Sequence, residues 1–142
     1  MSDPHNLQRF TDAQDGVFDD ALAELRSGRK QSHWMWFVFP QLAGLGRSPT
    51  AQYYAIASRE EAAAYLHHPL LRSRLRQSVE AMMHWTGDRT AVEMLGHVDA
   101  MKLRSSLTLF DAIDPGGPFG QALSTFFDGP DDSTLALLRQ SE

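Results

Sequence analysis

Apolar residues recur at helical spacing along most of this chain, and turn-forming residues divide them into short segments. Between residues 17 and 27 the apolar side chains fall on one helical face, and further along Leu71, Leu75, Val79 and Met82 do the same. No segment shows the strict alternation that a half-buried strand requires. The pattern predicts an all-α fold, a compact bundle of about six to eight short helices with irregular orthogonal packing.

The length of the chain sets the expected number of domains. Its 142 residues are near the commonest size of a single domain, so we expect one helical domain over residues 1–142. Apolar residues make up 42% and charged residues 22%, a balance that excludes a disordered chain. No apolar run approaches the roughly 20 residues that cross a bilayer, and no secretory signal is visible. We expect a soluble cytoplasmic protein with no membrane partner.

Composition also excludes several kinds of site. Without cysteine the chain cannot form a disulfide scaffold, a thiol nucleophile or thiolate-bound zinc. The six histidines lack the spacing that standard metal sites use, so we expect no metal and no cofactor. The 13 basic and 18 acidic residues give a net charge of -5, which disfavours nucleic acid as a partner.

Capping and turn residues place several helix boundaries. Gly28 is the expected stop of the helix that begins near residue 17. Ser48 is the expected cap of a later helix, and the segment from Ser58 to Glu61 has the spacing of a capping box. Gly96 should end a short helix that begins at residue 90. Each of these predictions depends only on local chemistry.

The stretch Gly28–Gln41 combines basic and aromatic side chains. It could surround an anion with cations and offer a ring for stacking, and its candidate ligand-binding residues are Arg29, Lys30, Trp34, Trp36 and Gln41. Alternatively, the aromatic side chains form core and the basic pair is a solvated helix end. His33 could act as a general base or be a structural histidine. The run Trp34–Phe39 is too short to separate a helical turn from a buried strand.

A second polar group lies on the helix predicted for residues 99–113. Asp99, Lys102 and Ser106 fall on the stripe that also carries core residues of this helix. Because an unpaired charge is costly to bury, these residues either form a structural ion pair or line a cleft. Together with His33 they are the candidate catalytic residues.

Arg47 is a further candidate for binding an anion. It lies in the loop 44–48, directly before a predicted helix start, where free backbone N–H groups add partial positive charge. A phosphate or carboxylate could bind there. The lysine and spacing of a P-loop are missing, so a plain capped turn is the alternative.

Three segments of the chain resemble a known family. They are Gly-Arg-Lys-Gln-Ser-His-Trp-Met-Trp-Phe-Val-Phe-Pro-Gln-Leu-Ala-Gly-Leu-Gly at 28–46, Tyr-Ala-Ile at 54–56 and Asp-Ala-Met-Lys-Leu-Arg-Ser-Ser-Leu-Thr-Leu-Phe at 99–110. Across nearly its whole length the chain is similar to the domain-of-unknown-function eighteen-ten family of small bacterial proteins. The resemblance implies a compact, mainly helical domain and brings no activity or catalytic residue. The calpastatin-like label sometimes given to the family implies a disordered inhibitor, which this composition contradicts.

The leading hypothesis is a protein that binds or processes a small anionic ligand, phosphate-bearing or nucleotide-like. The ligand would occupy a pocket between Gly28–Gln41 and the helix segment Asp99–Phe110. Whether the protein is an enzyme stays open. The alternative is a noncatalytic protein-interaction module that docks a partner or a second copy, so we expect a monomer or a weak homodimer. A concave site with converging polar groups favours the ligand, and buried tryptophans beside a flat apolar patch favour docking.

Overall fold

The computed structural model describes residues 3–140, which form ten helices and no extended strand. In chain order the helices are α1 (Gln8–Gln14), α2 (Phe18–Arg26), α3 (Met35–Val38), α4 (Pro49–Tyr53), α5 (Arg59–His67), α6 (Pro69–Met83), α7 (Ala91–Leu95), α8 (His97–Ile113), α9 (Pro118–Phe126) and α10 (Asp132–Gln140). The all-α prediction is confirmed. Helices exceed the predicted number because α3, α4 and α7 have four or five residues, too few for periodicity to reveal. The ends of the predicted domain, residues 1–2 and 141–142, lie outside the described range.

The two longest helices, α6 and α8, organise the packing. Helices α5 and α9 each contact both of them, while α7 and α10 pack against α8, and α1, α2 and α3 pack against α6. The buried apolar side chains form a hydrophobic core between these helices, with Trp34, Tyr65 and Phe110 among the largest that are fully buried. Within residues 3–140 we find no helix that is both long and apolar enough to span a bilayer.

The run Trp34–Phe39 contains a short helical turn and not a strand, which settles the choice that its sequence left open. Met35–Val38 forms the single turn α3, and Pro40 follows it. Beyond the proline the chain is extended, and Leu42 pairs with Ile56 in an isolated parallel bridge. This bridge fixes the end of the Gly28–Gln41 stretch against the segment that follows α4.

The predicted helix caps form, with one difference. Ser48 accepts a hydrogen bond from the N–H of Ala51 at 3.1 Å, and Ser58 accepts one from the N–H of Glu61 at 3.1 Å. The carboxylate of Glu61 does not simply complete a capping box, because it forms an ion pair with Arg9 at 2.6 Å. The side chain of Glu61, which the local pattern assigned to the cap, therefore takes part in a tertiary contact with Arg9.

Gly28 ends the turn after α2, as predicted, and a close contact explains why a larger residue would not fit. Its φ of +77° lies in the left-handed region, and an added Cβ would lie 2.9 Å from the ring of Trp85. The indole Nε1 of Trp85 donates to the carbonyl of Leu25 at 3.0 Å. Trp85 thus packs over the end of α2 and fixes the point at which the basic stretch begins.

Candidate functional site

The carboxylate of Glu24, on α2, holds the turn that leads into α3. It accepts hydrogen bonds from the N–H groups of Gln31 at 2.7 Å and Ser32 at 2.9 Å, from the Ser32 hydroxyl at 2.5 Å, and from Nε1 of Trp34 at 2.9 Å. Burial acts to raise the pKa of Glu24, but hydrogen bonds from Ser32, Gln31 and Trp34 outweigh it and lower the pKa to about 2. Sequence reasoning missed this residue, which lies on the polar side of its helix.

Lys30, Asp99 and Lys102 form one ion cluster, here called the Asp99 cluster. Lys30 Nζ lies 2.8 Å from Asp99 Oδ2, and Lys102 Nζ lies 3.3 Å from Asp99 Oδ1. The side chain of Lys30 is only 9% exposed, against 22% for Lys102. The structure therefore brings the basic stretch and α8 together. It does so through ion pairs, which was the structural alternative for Asp99 and Lys102. Lys30 was expected in that alternative to be a solvated helix end, and it is instead almost buried against Asp99.

Each lysine of the Asp99 cluster also lies over a tryptophan. Lys30 Nζ is 5.2 Å from the ring centroid of Trp34, which is fully buried, and Lys102 Nζ is 4.5 Å from that of Trp36, which is half-buried. Such contacts attract a cation to the face of the ring. The two tryptophans thus differ in function: Trp34 is core, and Trp36 extends from the cluster to the surface.

An open hollow of about 450 Å³ adjoins Trp36, and we call it the aromatic hollow. Its lining comes from α3, α4 and the ends of these helices, and consists of His33, Trp36, Phe37, Pro49, Thr50, Tyr53 and Tyr54. Tyr53 is 57% exposed and meets Tyr54 edge-on at 4.9 Å between ring centroids. Burial raises the pKa of Tyr54, as does the neighbouring Tyr53. The tyrosines were not among the predicted site residues, because exposed rings leave no periodic signal.

The predicted catalytic residue His33 and the other predicted ligand-binding residues lie around this region without a common focus. His33 and Arg29 are exposed, and only His33 lines the aromatic hollow. Gln41 is half-buried, and its carbonyl accepts the N–H of Ile56 at 2.8 Å beside the bridge. Arg47 is exposed, and its carbonyl accepts a bond from Gln52 Nε2 at 3.0 Å. The geometry around Arg47 matches a plain capped turn.

Ser106 lies in the core, on the same face of α8 as the Asp99 cluster. It is 1% exposed, and its hydroxyl has no hydrogen-bond partner among the described residues. Its neighbour Ser105 differs, because its hydroxyl shares its one proton between two acceptors, the carbonyl of Met101 at 3.1 Å and Asp131 Oδ2 at 3.3 Å. A buried hydroxyl without a partner destabilises the fold, since it has lost its hydrogen bonds to water.

Replacing Ser106 with alanine is therefore expected to leave the free energy of unfolding unchanged or to raise it by up to about 1 kcal/mol. Ser105→Ala is the matched control, and loss of its shared hydrogen bond should lower the free energy of unfolding by about 1 kcal/mol. Urea denaturation of both variants measures the difference. A loss of more than about 1 kcal/mol in Ser106→Ala would show that the hydroxyl binds a partner such as ordered water.

Residues 3–140 contain no group of three or more histidine, aspartate or glutamate side chains that could hold a metal ion. Both oxygens of Asp99 face ammonium groups, and no hydrogen bond or ion pair joins this carboxylate to His33 among the described residues.

Comparison with known proteins gives two matches. Residues 4–138 match the family described as "Protein of unknown function (DUF1810)". The fold is similar to the crystal structure of the conserved hypothetical protein Rv1873 from Mycobacterium tuberculosis, with a TM-score of 0.92 and 46% sequence identity over 96% of this chain and 99% of that chain. No curated protein matches the chain. Neither description names a ligand or a reaction.

Proposed function

This chain belongs to the DUF1810 family of proteins of unknown function, and we propose that it binds a small ring-bearing anion, phosphate-bearing or nucleotide-like, at the aromatic hollow. One observation carries the proposal: Trp36 lines the aromatic hollow, and the ammonium group of Lys102, a member of the Asp99 cluster, lies over the ring of the same tryptophan. A surface for a planar ring and a group for an anion therefore adjoin each other. Ligand sites commonly combine an apolar, aromatic lining with a few polar groups in this way.

The aromatic hollow supplies the surface for the ring. Trp36, Phe37, Tyr53 and Tyr54 contribute rings from two short helices, and Phe37 lies 5.4 Å from Tyr54 between ring centroids. Aromatic side chains bind planar groups by stacking without demanding a particular pattern of donors and acceptors. The hollow is open, so a planar group can enter without movement of the backbone.

Positive charge beside the hollow supports the anionic part of the ligand. Two lysines and one aspartate leave the Asp99 cluster with one unit of net positive charge. His33 lines the hollow and can donate a hydrogen bond from its ring. The chain as a whole carries a net charge of -5. A local excess of positive charge in an acidic protein favours a compact anion over an extended nucleic acid.

The geometry supports binding rather than covalent catalysis by the predicted residues. Asp99 is held between two ammonium groups, and Ser106 is enclosed in the core. A nucleophilic hydroxyl needs a base within hydrogen-bond reach. We therefore assign Asp99 and Lys102 to the electrostatics of the site, and Ser106 to the packing beneath it. The absence of cysteine agrees with a reducing cytoplasm.

The test is titration with adenosine 5′-monophosphate, followed by calorimetry and by tryptophan fluorescence. Trp36→Ala and Tyr53→Ala are each expected to weaken binding about 5- to 150-fold, because stacking on an aromatic side chain contributes about 1–3 kcal/mol per base. The matched control is Leu70→Ala, which removes an exposed apolar side chain on α6. It should leave the dissociation constant unchanged. Absence of saturable binding of both this nucleotide and adenosine by the wild type would contradict the proposal.

A second candidate function is docking of a partner protein or a second copy of the chain. The specific observation in its favour is the exposure of Tyr53 at the rim of an open hollow, while Trp34 is entirely buried. Exposed aromatic side chains are enriched in protein interfaces. Sedimentation of the wild type and Tyr53→Ala tests docking of a second copy. This function requires that the wild type self-associates, that Tyr53→Ala does not, and that adenosine 5′-monophosphate leaves the self-association of the wild type unchanged.

A further inference from the structure

Resting on the proposed function, we infer that Lys102 recognises the ligand's anionic group and that Asp99 competes with the ligand for this lysine. The inference defines the ligand class more closely: a planar ring that carries a compact anion should bind, and the same ring without the anion should bind less tightly. It rests on the different surroundings of the two lysines in the Asp99 cluster.

Lys30 is the fixed member of the cluster. Its ammonium lies 2.8 Å from Asp99 with a side chain 9% exposed, and the buried ring of Trp34 lies beneath it. Its backbone N–H also donates to the carbonyl of Met94 at 2.8 Å. Separating Lys30 from Asp99 would leave an almost buried charge without its counter-ion, which is strongly unfavourable. A ligand therefore cannot readily take Lys30 from the carboxylate.

Lys102 is the exchangeable member. Its contact with Asp99 is longer, at 3.3 Å, and its side chain is more exposed than that of Lys30. The contact with Trp36, at 4.5 Å, holds the ammonium over a ring that also lines the aromatic hollow. An ammonium group has three N–H donors, so Lys102 can bind an anion while it remains over Trp36.

Asp99 sets the charge requirement of the site. Its carboxylate neutralises one of the two ammonium groups. The remaining positive charge attracts an anion and adds little to the binding free energy of an uncharged ligand. The same carboxylate repels an anion that approaches Lys102. Removing the charge of Asp99 should therefore strengthen binding of an anionic ligand, whereas loss of an ordinary binding residue weakens it.

The test compares adenosine 5′-monophosphate with adenosine on the wild type, Lys102→Met and Asp99→Asn, using calorimetry at 0.15 M salt. Lys102→Met should weaken binding of the nucleotide about 10-fold, because a charge-assisted hydrogen bond is lost, and leave adenosine unchanged. Asp99→Asn should tighten binding of the nucleotide about 3- to 10-fold, again without effect on adenosine. Asparagine retains a carbonyl oxygen for Lys30 but not the counter-charge, so this variant should be less stable than the wild type, and its affinities are measured well below its melting temperature.

Two control variants and a test of folding separate the effect of the charge at position 102 from the effects of net charge and of misfolding. Arg72→Met removes one positive charge from an exposed site on α6 and should change the affinity for the nucleotide less than twofold at 0.15 M salt. Lys102→Arg keeps the charge and should retain affinity within about threefold. Far-ultraviolet circular dichroism and thermal melts establish that each variant is folded.

The outcomes separate this inference from the proposed function. Equal affinity of the wild type for adenosine and its monophosphate, with both lost in Trp36→Ala, would overturn the role of Lys102 and leave the aromatic hollow as a binding site. Weaker binding of the nucleotide by folded Asp99→Asn would show that Asp99 positions Lys102, and would overturn the competition. Failure of both compounds to bind the wild type would remove the proposed function itself.

Discussion

Replacing Arg9 with methionine is expected to lower the free energy of unfolding by about 3–5 kcal/mol, the effect typical of breaking a buried ion pair. The side chain of Arg9 is 7% exposed, and its Nη2 lies 2.6 Å from Oε2 of Glu61, which is 6% exposed. Removing the guanidinium would leave the Glu61 carboxylate buried without its counter-ion. Methionine keeps the length of the apolar stem, so lost packing contributes little to the expected effect.

The guanidinium of Arg9 also binds four backbone carbonyl groups from two separate segments. Nε donates to Tyr53 at 2.8 Å and Nη2 to Ala55 at 2.9 Å, while Nη1 donates to His5 at 2.7 Å and Asn6 at 2.8 Å. Tyr53 forms part of the aromatic hollow. Loss of Arg9 should therefore loosen this side of the hollow as well as destabilise the fold.

Urea denaturation at pH 7 measures the effect, and two further variants test its cause. Arg72→Met removes an exposed arginine and should change the free energy of unfolding by less than about 0.5 kcal/mol. The double variant Arg9→Met with Glu61→Met should recover part of the loss, because no unpaired charge remains. A loss below about 1 kcal/mol in Arg9→Met would show that the ion pair contributes little to stability.

Sequence reasoning could not predict this pair, although both residues lie on helices, Arg9 on α1 and Glu61 on α5. Arg9 and Glu61 are 52 positions apart, and each has an adequate local explanation. Glu61 has the position of a capping-box glutamate, and Arg9 resembles a solvated residue beside the apolar Phe10. Local patterns specify which segments are helical and where Ser58 caps one of them. They contain no information on which buried charges meet across the fold.

The Asp99 cluster was partly predictable for a related reason. A lysine and an aspartate on an apolar helical stripe need counter-ions if they are buried, so the sequence already restricted Asp99 and Lys102 to an ion pair or a cleft. The contact with Lys30 was not predicted, because the sequence allowed Lys30 to be a solvated residue at a helix end. The aromatic hollow was not predictable, because exposed rings such as Tyr53 satisfy no burial constraint and can lie anywhere on the surface.

The difference in exposure between Trp34 and Trp36 could not be predicted from the sequence either. The two residues lie two positions apart in one short apolar run, and composition alone assigns both to the core. In the single turn α3 and its flanks they point differently, so Trp34 is enclosed while Trp36 reaches the hollow. Neither helical nor strand periodicity can be measured over so few residues. The core interpretation of the stretch is thus confirmed for Trp34, and the binding interpretation of Trp36 stays a proposal.

Replacing Glu24 with alanine is expected to lower the free energy of unfolding by about 2–4 kcal/mol, since a charged acceptor and several hydrogen bonds are lost together. The indole N–H of Trp34 lies against the core and would lose its partner. The N–H groups of Gln31 and Ser32 would also be released, which should loosen the chain between Lys30 and α3. Glu24→Gln retains one carbonyl acceptor and should show a smaller loss of about 1–2 kcal/mol.

The contribution of Glu24 should also depend on pH in a defined direction. Its pKa is about 2 in the folded protein, below the ordinary value of 4.5 expected in the unfolded chain. Folding therefore favours the charged carboxylate, and the stabilisation is fully present above about pH 4.5 and is lost as the pH falls toward 2. Urea denaturation of the wild type and Glu24→Gln between pH 7 and pH 2 should give a difference in stability that is constant down to about pH 5 and shrinks below it.

Glu80→Gln, which neutralises an exposed carboxylate on α6, is the matched control and should stay within about 0.5 kcal/mol of the wild type at pH 7. A difference between the wild type and Glu24→Gln that is as large at pH 2 as at pH 7 would mean that the charge of Glu24 does not hold this turn.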